Sequence, residues 1–539
     1  MQKTQPQQHP MSLFIKTILT VSLSSTAALS HALTLTEDND LYKIDTGNKL
    51  VYYVNANCNI TSILYDGIER QIISNKRRSH INSGLSNVSA SSQLNETNTI
   101  SKITCKTDKL THYLISKDGE DNIYMATYLM EEPSVGELRW ITRIDADNFT
   151  NFQAPSYNAG SIGKTESSDV FSHADGTTTS KYYGNDRAMD LTVKGETGDG
   201  FGAFMYYGNR ESSSGGPFYR DIQFQSAEVY NYMNSGHAQT EDRRLDVLYG
   251  PYVLMFNDGS VTPDAPDTSF FADLDIEGYV TTAGRGYVSG TATNFNADFP
   301  VVVGWSNDTA QYWTTADAET GKYTSPAMKP GNYTETLYRG ELEVGTTEVT
   351  VSAGNTTSDV EVNDTFTDHD DAIFRIGEWD GTPKGFRNYD NLTIMHPSDS
   401  RMDSWEQTNF VVGDSADSDF PAYQWRKINN GILIHYTLEA DQVVKHHLRI
   451  GITAAYSGAR PQITLNDSWT SKYPSPSTQP KSRVMTIGTW RGNNKQFTYT
   501  IPASAQQEGD NTIEIDLVSG SSGDNYLSPG VSYDAIELY

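Results

Sequence analysis

The sequence has few cysteines, few basic residues and none of the common short catalytic motifs. Its 539 residues include only Cys58 and Cys105, too few for a thiolate metal cluster. The 40 Lys and Arg residues are outnumbered by 68 Asp and Glu residues, and the net charge of −28 argues against nucleic acid as a partner. The chain contains no GxSxG elbow, HExxH motif or Walker loop, so the best-known serine hydrolase, zinc protease and nucleotide sites are not indicated.

Long hydrophobic runs are also missing, which excludes a typical membrane-spanning helix of about 18 or more apolar residues. At the N-terminus, Lys16 precedes a short, weakly apolar stretch that ends in small residues around Ala28 to Ala32. This pattern predicts a secretion signal over residues 1–32 and a secreted, extracellular protein without a membrane partner. In an oxidising compartment, Cys58 and Cys105 are expected to form a disulfide.

Potential N-glycosylation sites agree with export, and their number partly reflects a chain rich in Asn and Thr. The Asn-x-Ser/Thr acceptors are Asn59, Asn87, Asn95, Asn148, Asn307, Asn332, Asn355, Asn363, Asn391 and Asn466.

The remaining composition favours β-structure. Aromatic residues make up 11% of the chain, with 32 Tyr, and patterns of helical period are scarce. Runs at 50–67, 122–130 and 136–145 read as strands and turns. We therefore predict an all-β protein with a surface suited to carbohydrate or another polar ligand.

One of these runs, residues 136–145, carries two arginines four positions apart. The two-residue period of a strand places Arg139 and Arg143 on one face, and Trp140 on the other. Such a face is either a solvated surface or the floor of an anion-binding groove, and the pattern alone does not decide between them.

The length predicts several domains, and the composition changes near residue 275. We predict a first β-domain over 33–274, a small β-sandwich over 275–365 and a third β-domain over 372–539, with an acidic joint between the last two. The sequence shows no solenoid repeat.

Eight segments together resemble the fungal-type rhamnogalacturonan lyases of polysaccharide lyase family 4, from about residue 40 to the end of the chain. They are EEPSVGELRWITRID, SDVFSHADGTTTSKYYGNDR, ESSSGGPFYRDI, YNYMNSGHAQTE, DTSFFADLDIEGYV, GEWDGTPKGFRN, MHPSDSRM and SGSSGDNYLSP. The resemblance implies a large N-terminal β-sandwich of galactose-mutarotase type, a fibronectin type III-like domain and a jelly roll like carbohydrate-binding modules. One departure is visible: a second cysteine pair found in a family member is missing from residues 188–204.

The resemblance also implies roles for individual residues. It implies that Lys181, in TTSKYYG, is the base and His237, in MNSGHAQ, the acid of a β-elimination that cleaves the rhamnogalacturonan I backbone internally. Arg139, Tyr230 and Tyr232 match groove-lining positions of the family.

The chemistry is consistent with these residue types. Arg139, together with Arg143, could offset the charge of the galacturonate carboxylate and stabilise the enolate-like charge that develops next to it. Nearby cations in a desolvated cleft would favour the neutral amine that a lysine base needs. We therefore expect no catalytic metal. A structural Ca²⁺ is left open, because the acidic stretches at 38–42 and 368–372 could bind calcium by composition, but they lack EF-hand spacing, which favours solvated acidic turns. We also expect a monomer.

Two other functions remain open from the residues. β-sandwich modules also bind glycans without cutting them, so the chain could be a non-catalytic secreted pectin-binding protein. Its 68 acidic residues also provide many candidate carboxylate pairs for a pectin-directed glycoside hydrolase. The chemical nature of the product separates a lyase from a hydrolase.

Overall fold

The structure is a computed structural model, and it describes residues 32–72, 78–133, 136–151, 158–234, 241–476, 483–486, 488, 490 and 494–539. The predicted signal segment lies outside the described residues, apart from its last position. Strands and loops dominate, which confirms the all-β prediction. Among the described helices, none is long and apolar enough to cross a membrane.

The N-terminal part of the chain forms four antiparallel sheets. Their strands are β1 Thr34–Asp38, β2 Leu41–Asp45, β3 Leu50–Asn55, β4 Ile60–Tyr65, β5 Ile68–Glu69, β6 His80–Ile81, β7 Ser89–Leu94, β8 Ile100–Lys106, β9 Leu110–Lys117, β10 Asn122–Leu129, β11 Leu138–Arg143, β12 Gly163–Glu166, β13 Val170–Ser172, β14 Thr178–Ser180, β15 Val193–Gly198, β16 Phe201–Tyr206, β17 Phe224–Gln225, β18 Glu228–Asn234 and β19 Val247–Asn257. The sheet orders are β1-β2-β3-β4-β5, β15-β16-β19-β10-β9-β8-β7, β17-β18-β11-β6 and β12-β13-β14.

The middle part forms two smaller sheets. Its strands are β20 Tyr287–Thr293, β21 Val301–Ser306, β22 Gln311–Thr315, β23 Lys322–Thr324, β24 Gly331–Arg339, β25 Leu342–Val351 and β26 Thr356–Asn363. They are arranged as β23-β20-β26 and β22-β21-β24-β25, an arrangement consistent with the predicted small sandwich.

The C-terminal part forms two five-stranded sheets. Its strands are β27 Phe374–Ile376, β28 Asn409–Val411, β29 Tyr423–Trp425, β30 Ile432–Leu438, β31 His446–Tyr456, β32 Arg460–Leu465, β33 Trp469–Thr470, β34 Lys495–Ile501, β35 Gly509–Val518 and β36 Gly530–Leu538. One sheet has the order β27-β36-β31-β34 with β29 also paired to β36, and the other has the order β28-β30-β35-β32-β33.

In the described residues, helical structure is confined to short turns. A four-residue α-helix, α1, spans Arg483–Thr486. The 3₁₀ turns span Ala146–Asn148, Ala188–Asp190, Ser269–Asp273, Thr282–Gly284, Tyr389–Asn391, Asp417–Asp419, Ala440–Gln442, Ala503–Ala505 and Asn525–Leu527.

Alternation of apolar and polar residues explains why these segments form sheets. In β3, Leu50, Tyr52 and Val54 are buried while the residues between them are partly exposed. In β35, Ile513 and Ile515 are buried in the same alternating way. Strands such as these bury one face against the core of their own domain, whereas β18 and β36 are buried on both faces.

The predicted disulfide is present. Cys58 and Cys105 are bonded, with their Cα atoms 6.1 Å apart. Both residues lie in the hydrophobic core of the N-terminal domain, together with residues such as Trp140. The bridge therefore connects the turn between β3 and β4 to strand β8.

The first and third domains pack against each other through a shared group of buried side chains. A single buried cluster contains Ile141, Tyr230 and Tyr232 of the four-stranded sheet, and also much of the core of the C-terminal domain, including Phe374 and Trp405. One face of the four-stranded sheet therefore packs toward the third domain, and its other face packs into the core of the first domain.

Candidate active site

The predicted arginine face is formed by two neighbouring strands, β11 and β18, of the four-stranded sheet. Its cross-strand pairs are Arg139 with Tyr232, Ile141 with Tyr230, and Arg143 with Glu228. Trp140, on the opposite face, is fully buried in the domain core. The period-2 interpretation of residues 136–145 is thus confirmed, and the two arginines share a face with both tyrosines.

Arg139 is held by several polar groups and still reaches the surface. Its Nη1 donates to Tyr232 Oη at 2.5 Å and lies 2.5 Å from Glu137 Oε2. Its Nε donates to the backbone oxygen of Asn82 at 3.4 Å. Burial would lower the pKa of Arg139, but the neighbouring Tyr232 and Glu137 raise it. With 20% of its side chain exposed, this permanent cation is accessible to an anionic ligand.

The second arginine belongs to a network that fixes the neighbouring tyrosine. Arg143 forms an ion pair with Glu228, whose other carboxylate oxygen accepts a hydrogen bond from Tyr230 Oη at 2.5 Å. The rings of Tyr230 and Tyr232 stack with their centroids 5.7 Å apart and their planes 23° apart. Burial, followed by the charge of Glu228, raises the pKa of Tyr230, so its phenol stays neutral. The face is consequently a fixed arrangement in which two partly exposed guanidinium groups lie next to two buried, stacked phenol rings.

A histidine that the sequence analysis did not single out lies beside this surface. His80 of β6 pairs in register with Ile141, between the two arginines of β11. Burial and then the positive charge of Arg143 lower the pKa of His80 to about 4. Its imidazole is therefore neutral at pH 5 and above, and it adds no further positive charge to the surface.

Lys181 follows the last residue of β14 in the small sheet β12-β13-β14. Ser180 pairs with Val170 across that antiparallel sheet. The residue after Ser180, Lys181, is therefore close to the residue before Val170, Asp169. Lys181 Nζ lies 2.9 Å from Asp169 Oδ1, and 18% of the lysine side chain is exposed. The sequence predicts cationic surroundings for this lysine, whereas its ion-pair partner in the structure is a carboxylate.

Hydrogen bonds connect the turn of Lys181 to the strand of Tyr230. Asn185 Nδ2 donates to the backbone oxygen of Lys181 at 3.4 Å, and Asn185 Oδ1 accepts from the backbone nitrogen of Gln223 at 3.2 Å. The backbone oxygen of Gln223 in turn accepts from Tyr230 N at 2.9 Å. Tyr182, the residue after the lysine, belongs to the same buried cluster as Tyr230. Hydrogen bonds and a shared buried cluster therefore link the turn that carries Lys181 to the strand that carries Tyr230 and Tyr232.

His237 lies outside the described residues. Strand β18 ends at Asn234, three residues before it, and Asn234 is fully buried. Asn234 Oδ1 accepts hydrogen bonds from the backbone nitrogen and the hydroxyl of Ser214, and its Nδ2 donates to Tyr249 Oη at 2.6 Å. The point from which the chain leaves toward His237 is thus firmly fixed.

The structure adds three charged partners that sequence reasoning missed. Glu137 and Glu228 pair with the two arginines, and Asp169 pairs with Lys181. The same strand period that groups Tyr230 and Tyr232 would also have placed Glu228 on their face. Asp169 could not have been found in this way, because its contact depends on the register of β13 and β14.

No metal site is apparent in the described part of the chain, where no group of three or more His, Cys, Asp or Glu side chains is arranged to hold an ion. Two residues of the acidic stretch at 368–372 contact other side chains instead. Asp368 pairs with Arg339 at 2.8 Å, and His369 pairs with Glu537 at 2.7 Å.

Comparison with known proteins gives matches along almost the whole chain. Residues 33–278 match the family model "Rhamnogalacturonan lyase B, N-terminal", residues 284–359 match "Polysaccharide lyase family 4, domain II", and residues 372–538 match "Polysaccharide lyase family 4, domain III". These three models agree with the predicted three-domain organisation.

Individual relatives match over a similar extent. The chain is 44% identical to "Probable rhamnogalacturonate lyase A" of Aspergillus flavus, over 94% of this chain and 96% of that protein. It is 43% identical to "Rhamnogalacturonate lyase A" of Aspergillus aculeatus, over 97% of this chain and 100% of that protein. It is also 43% identical to "Rhamnogalacturonate lyase A" of Emericella nidulans, over 94% of this chain and 95% of that protein.

Proposed function

Because this chain belongs to polysaccharide lyase family 4, we propose that it is an endo-acting rhamnogalacturonan lyase. The observation that carries this proposal is the full-length match to relatives named rhamnogalacturonate lyase, 43% identical over 97% of the chain in one case. The proposed substrate is the alternating rhamnose and galacturonate backbone of rhamnogalacturonan I, and the proposed reaction is β-elimination at the rhamnose-(1→4)-galacturonate bond.

The reaction needs a base, an acid and a means of offsetting charge. The base removes the proton from C5 of galacturonate, and the electrons of that C–H bond form the C4=C5 double bond. The bond between C4 and the rhamnose oxygen breaks, and that oxygen takes up a proton from the acid. The products are a 4,5-unsaturated galacturonate at a new non-reducing end and a new reducing end on the rhamnose.

In this scheme Arg139 binds the galacturonate carboxylate. Its guanidinium is accessible and already held in place by Tyr232, so little reorganisation is needed when charge develops on the carboxylate. Arg143 lies four residues further along β11 on the same face and adds positive potential. Both guanidinium groups are paired with a carboxylate, Arg139 with Glu137 and Arg143 with Glu228. The stacked rings of Tyr230 and Tyr232 are almost fully buried next to Arg139, so they support its guanidinium from behind rather than form an open wall of the groove.

Lys181 is the proposed base and His237 the proposed acid. The position of Lys181 on a turn connected to the strand of Tyr230 supports its role. Its ion pair with Asp169 has a consequence for the reaction, because a lysine can accept the C5 proton only as the neutral amine. Lys181 must therefore be neutral, and no longer in a charged pair with Asp169, when the elimination step begins.

A catalytic metal is not part of this proposal, because Arg139 supplies the positive charge that offsets the carboxylate. A calcium ion bound elsewhere in the protein would be structural and would affect stability rather than rate. We further propose that the protein is secreted after removal of residues 1–32 and acts as a monomer. N-terminal sequencing of the exported protein and light scattering in solution test these two points.

The activity is tested by incubating the purified protein with rhamnogalacturonan I. A lyase produces an unsaturated uronate that absorbs in the ultraviolet, together with new reducing ends in equal amount. A hydrolase would release reducing ends without the absorbance, and a non-catalytic binding protein would release neither. An early fall in viscosity with few new ends would support internal cleavage.

A further inference from the structure

The third domain holds the backbone on both sides of Lys181. We define the lysine segment as residues 173–184, which include β14 and the turn after it. The three-stranded sheet that contains β14 is small, so the position of this segment depends strongly on what it packs against. Its hydrogen-bonding partners include the loop 393–401 of the C-terminal domain, more than 200 residues later in the chain.

The contacts before the lysine centre on Thr178 and Asp399. Asp399 Oδ2 accepts hydrogen bonds from Thr178 N at 2.6 Å and from Thr178 Oγ1 at 2.7 Å. Thr178 Oγ1 also accepts a hydrogen bond from His396 N at 3.2 Å. Thr178 thus exchanges three hydrogen bonds with the loop, only three residues before the proposed base.

Close backbone contacts extend this interface in both directions. Ser400 N donates to the backbone oxygen of Gly176 at 3.0 Å, and a Cβ atom at Gly176 would lie only 2.9 Å from Ser400 Cβ. After the lysine, Gly184 N donates to the backbone oxygen of Thr393 at 2.9 Å, and Tyr183 Oη donates to that of Thr486. Lys181 is consequently bracketed by contacts to the third domain.

Asp399 is built to remain ionised at this interface. Its side chain is fully buried, and Arg401 donates to it from its backbone nitrogen, Nε and Nη2 at 2.8 to 3.0 Å. Burial would raise the pKa of Asp399, but the hydrogen bonds from Arg401 and Thr178 lower it to about 2. A buried carboxylate with this many donors is firmly fixed, because moving it away from them would leave a buried charge without partners.

We propose that Asp399 of the third domain is a positioning residue for Lys181, and that this domain is thereby a working part of the active site rather than only a carbohydrate-binding attachment. The proposal rests on the proposed role of Lys181 as base. Proton abstraction requires the amine to be close to C5 and correctly directed, and a displacement of about 1 Å can cost about 10²-fold in rate. Loss of the Asp399 contacts would free the strand that carries the amine.

The test uses full-length protein and two pairs of variants. Thr178→Val removes the hydroxyl contacts to Asp399 and His396 N, whereas Thr178→Ser keeps them. Asp399→Ala removes the anchor. Asp380→Asn is the matched control, because buried Asp380 accepts from Thr382 N at 2.8 Å and from Thr382 Oγ1 at 2.7 Å, the same pair of contacts made within the third domain.

We expect Asp399→Ala and Thr178→Val to lower kcat by about 10- to 100-fold at temperatures far below their melting points, with KM changed by less than about twofold. Thr178→Ser and Asp380→Asn should keep the parental kcat. In a Lys181→Ala background, Thr178→Val should cause no further loss of rate, because the group that it positions is already absent.

A parental kcat in both Asp399→Ala and Thr178→Val would overturn the proposal, even if both variants melt at lower temperature. If Asp399→Ala does not fold, the Thr178→Val and Thr178→Ser pair decides the question. Failure of the proposed function itself is recognised separately. In that case the parent protein yields no unsaturated product, or Lys181→Ala keeps the parental rate.

Discussion

The buried carboxylate of Asp399 makes a quantitative prediction about stability and pH. The ordinary pKa of an aspartate is 3.8, and in the folded protein hydrogen bonds from Arg401 and Thr178 overcome the effect of burial and lower the pKa of Asp399 to about 2. Because the folded value is the lower one, ionised Asp399 stabilises the fold above about pH 4. This stabilisation is lost as the pH falls through that range toward 2.

The size follows from the two values. One pKa unit corresponds to about 1.4 kcal/mol, so the difference between 3.8 and about 2 corresponds to about 2 kcal/mol at neutral pH. Asp399→Asn removes the titrating group and leaves the other acidic residues in place. The difference in free energy of unfolding between parent and variant should therefore shrink by about 2 kcal/mol between pH 5 and pH 2.

Urea denaturation followed by tryptophan fluorescence measures this difference at each pH. Taking the difference between parent and variant cancels the titration of groups that the two proteins share. A stability difference that stays constant from pH 5 to pH 2 would refute the reasoning, because it would mean that Asp399 titrates alike in the folded and unfolded chains.

Three further predictions concern the disulfide, the groove and the metal. Replacing both Cys58 and Cys105 by serine opens a link between residues 47 positions apart and should lower the free energy of unfolding by about 4 kcal/mol; an unchanged urea midpoint would contradict this. Arg139→Ala should raise KM and also lower kcat, because the cation interacts with the carboxylate in the substrate complex and more strongly in the transition state. The value of kcat/KM should fall by about 10²-fold or more, and parental kinetics would exclude this role. Exhaustive chelation with EDTA should leave initial rates unchanged, and loss of activity restored by Ca²⁺ would show that arginine does not replace the metal.

Much of the fold could be predicted from the sequence because it depends on local periodicity. The alternation in residues 50–67 and 136–145 identified real strands and also the shared face of Arg139 and Arg143. The pairing of Cys58 with Cys105 followed from their being the only two thiols. The roles of Lys181 and His237 came from the family resemblance, and they remain predictions.

The contacts around Lys181 could not have been predicted in this way. Asp169 reaches the lysine through a strand register, and Asp399 reaches Thr178 across 221 residues of chain. Neither contact has a periodic or compositional signal, because both depend on how separate sheets and domains pack. The sequence therefore predicted that Lys181 would lie among cations. In the structure its ion-pair partner is the carboxylate of Asp169, and the third domain holds the strand that precedes it.

The most direct test of the account is the initial rate of unsaturated uronate formation from rhamnogalacturonan I by Lys181→Ala, compared with the parent and with His237→Ala. Removal of a positioned base should cost at least about 10²–10⁴-fold, whereas water can partly replace the acid, so His237→Ala should keep more activity. Both variants should still bind the polysaccharide, because Arg139 remains accessible and is still held by Tyr232. A folded Lys181→Ala protein that forms the unsaturated product at close to the parental rate would contradict the mechanism.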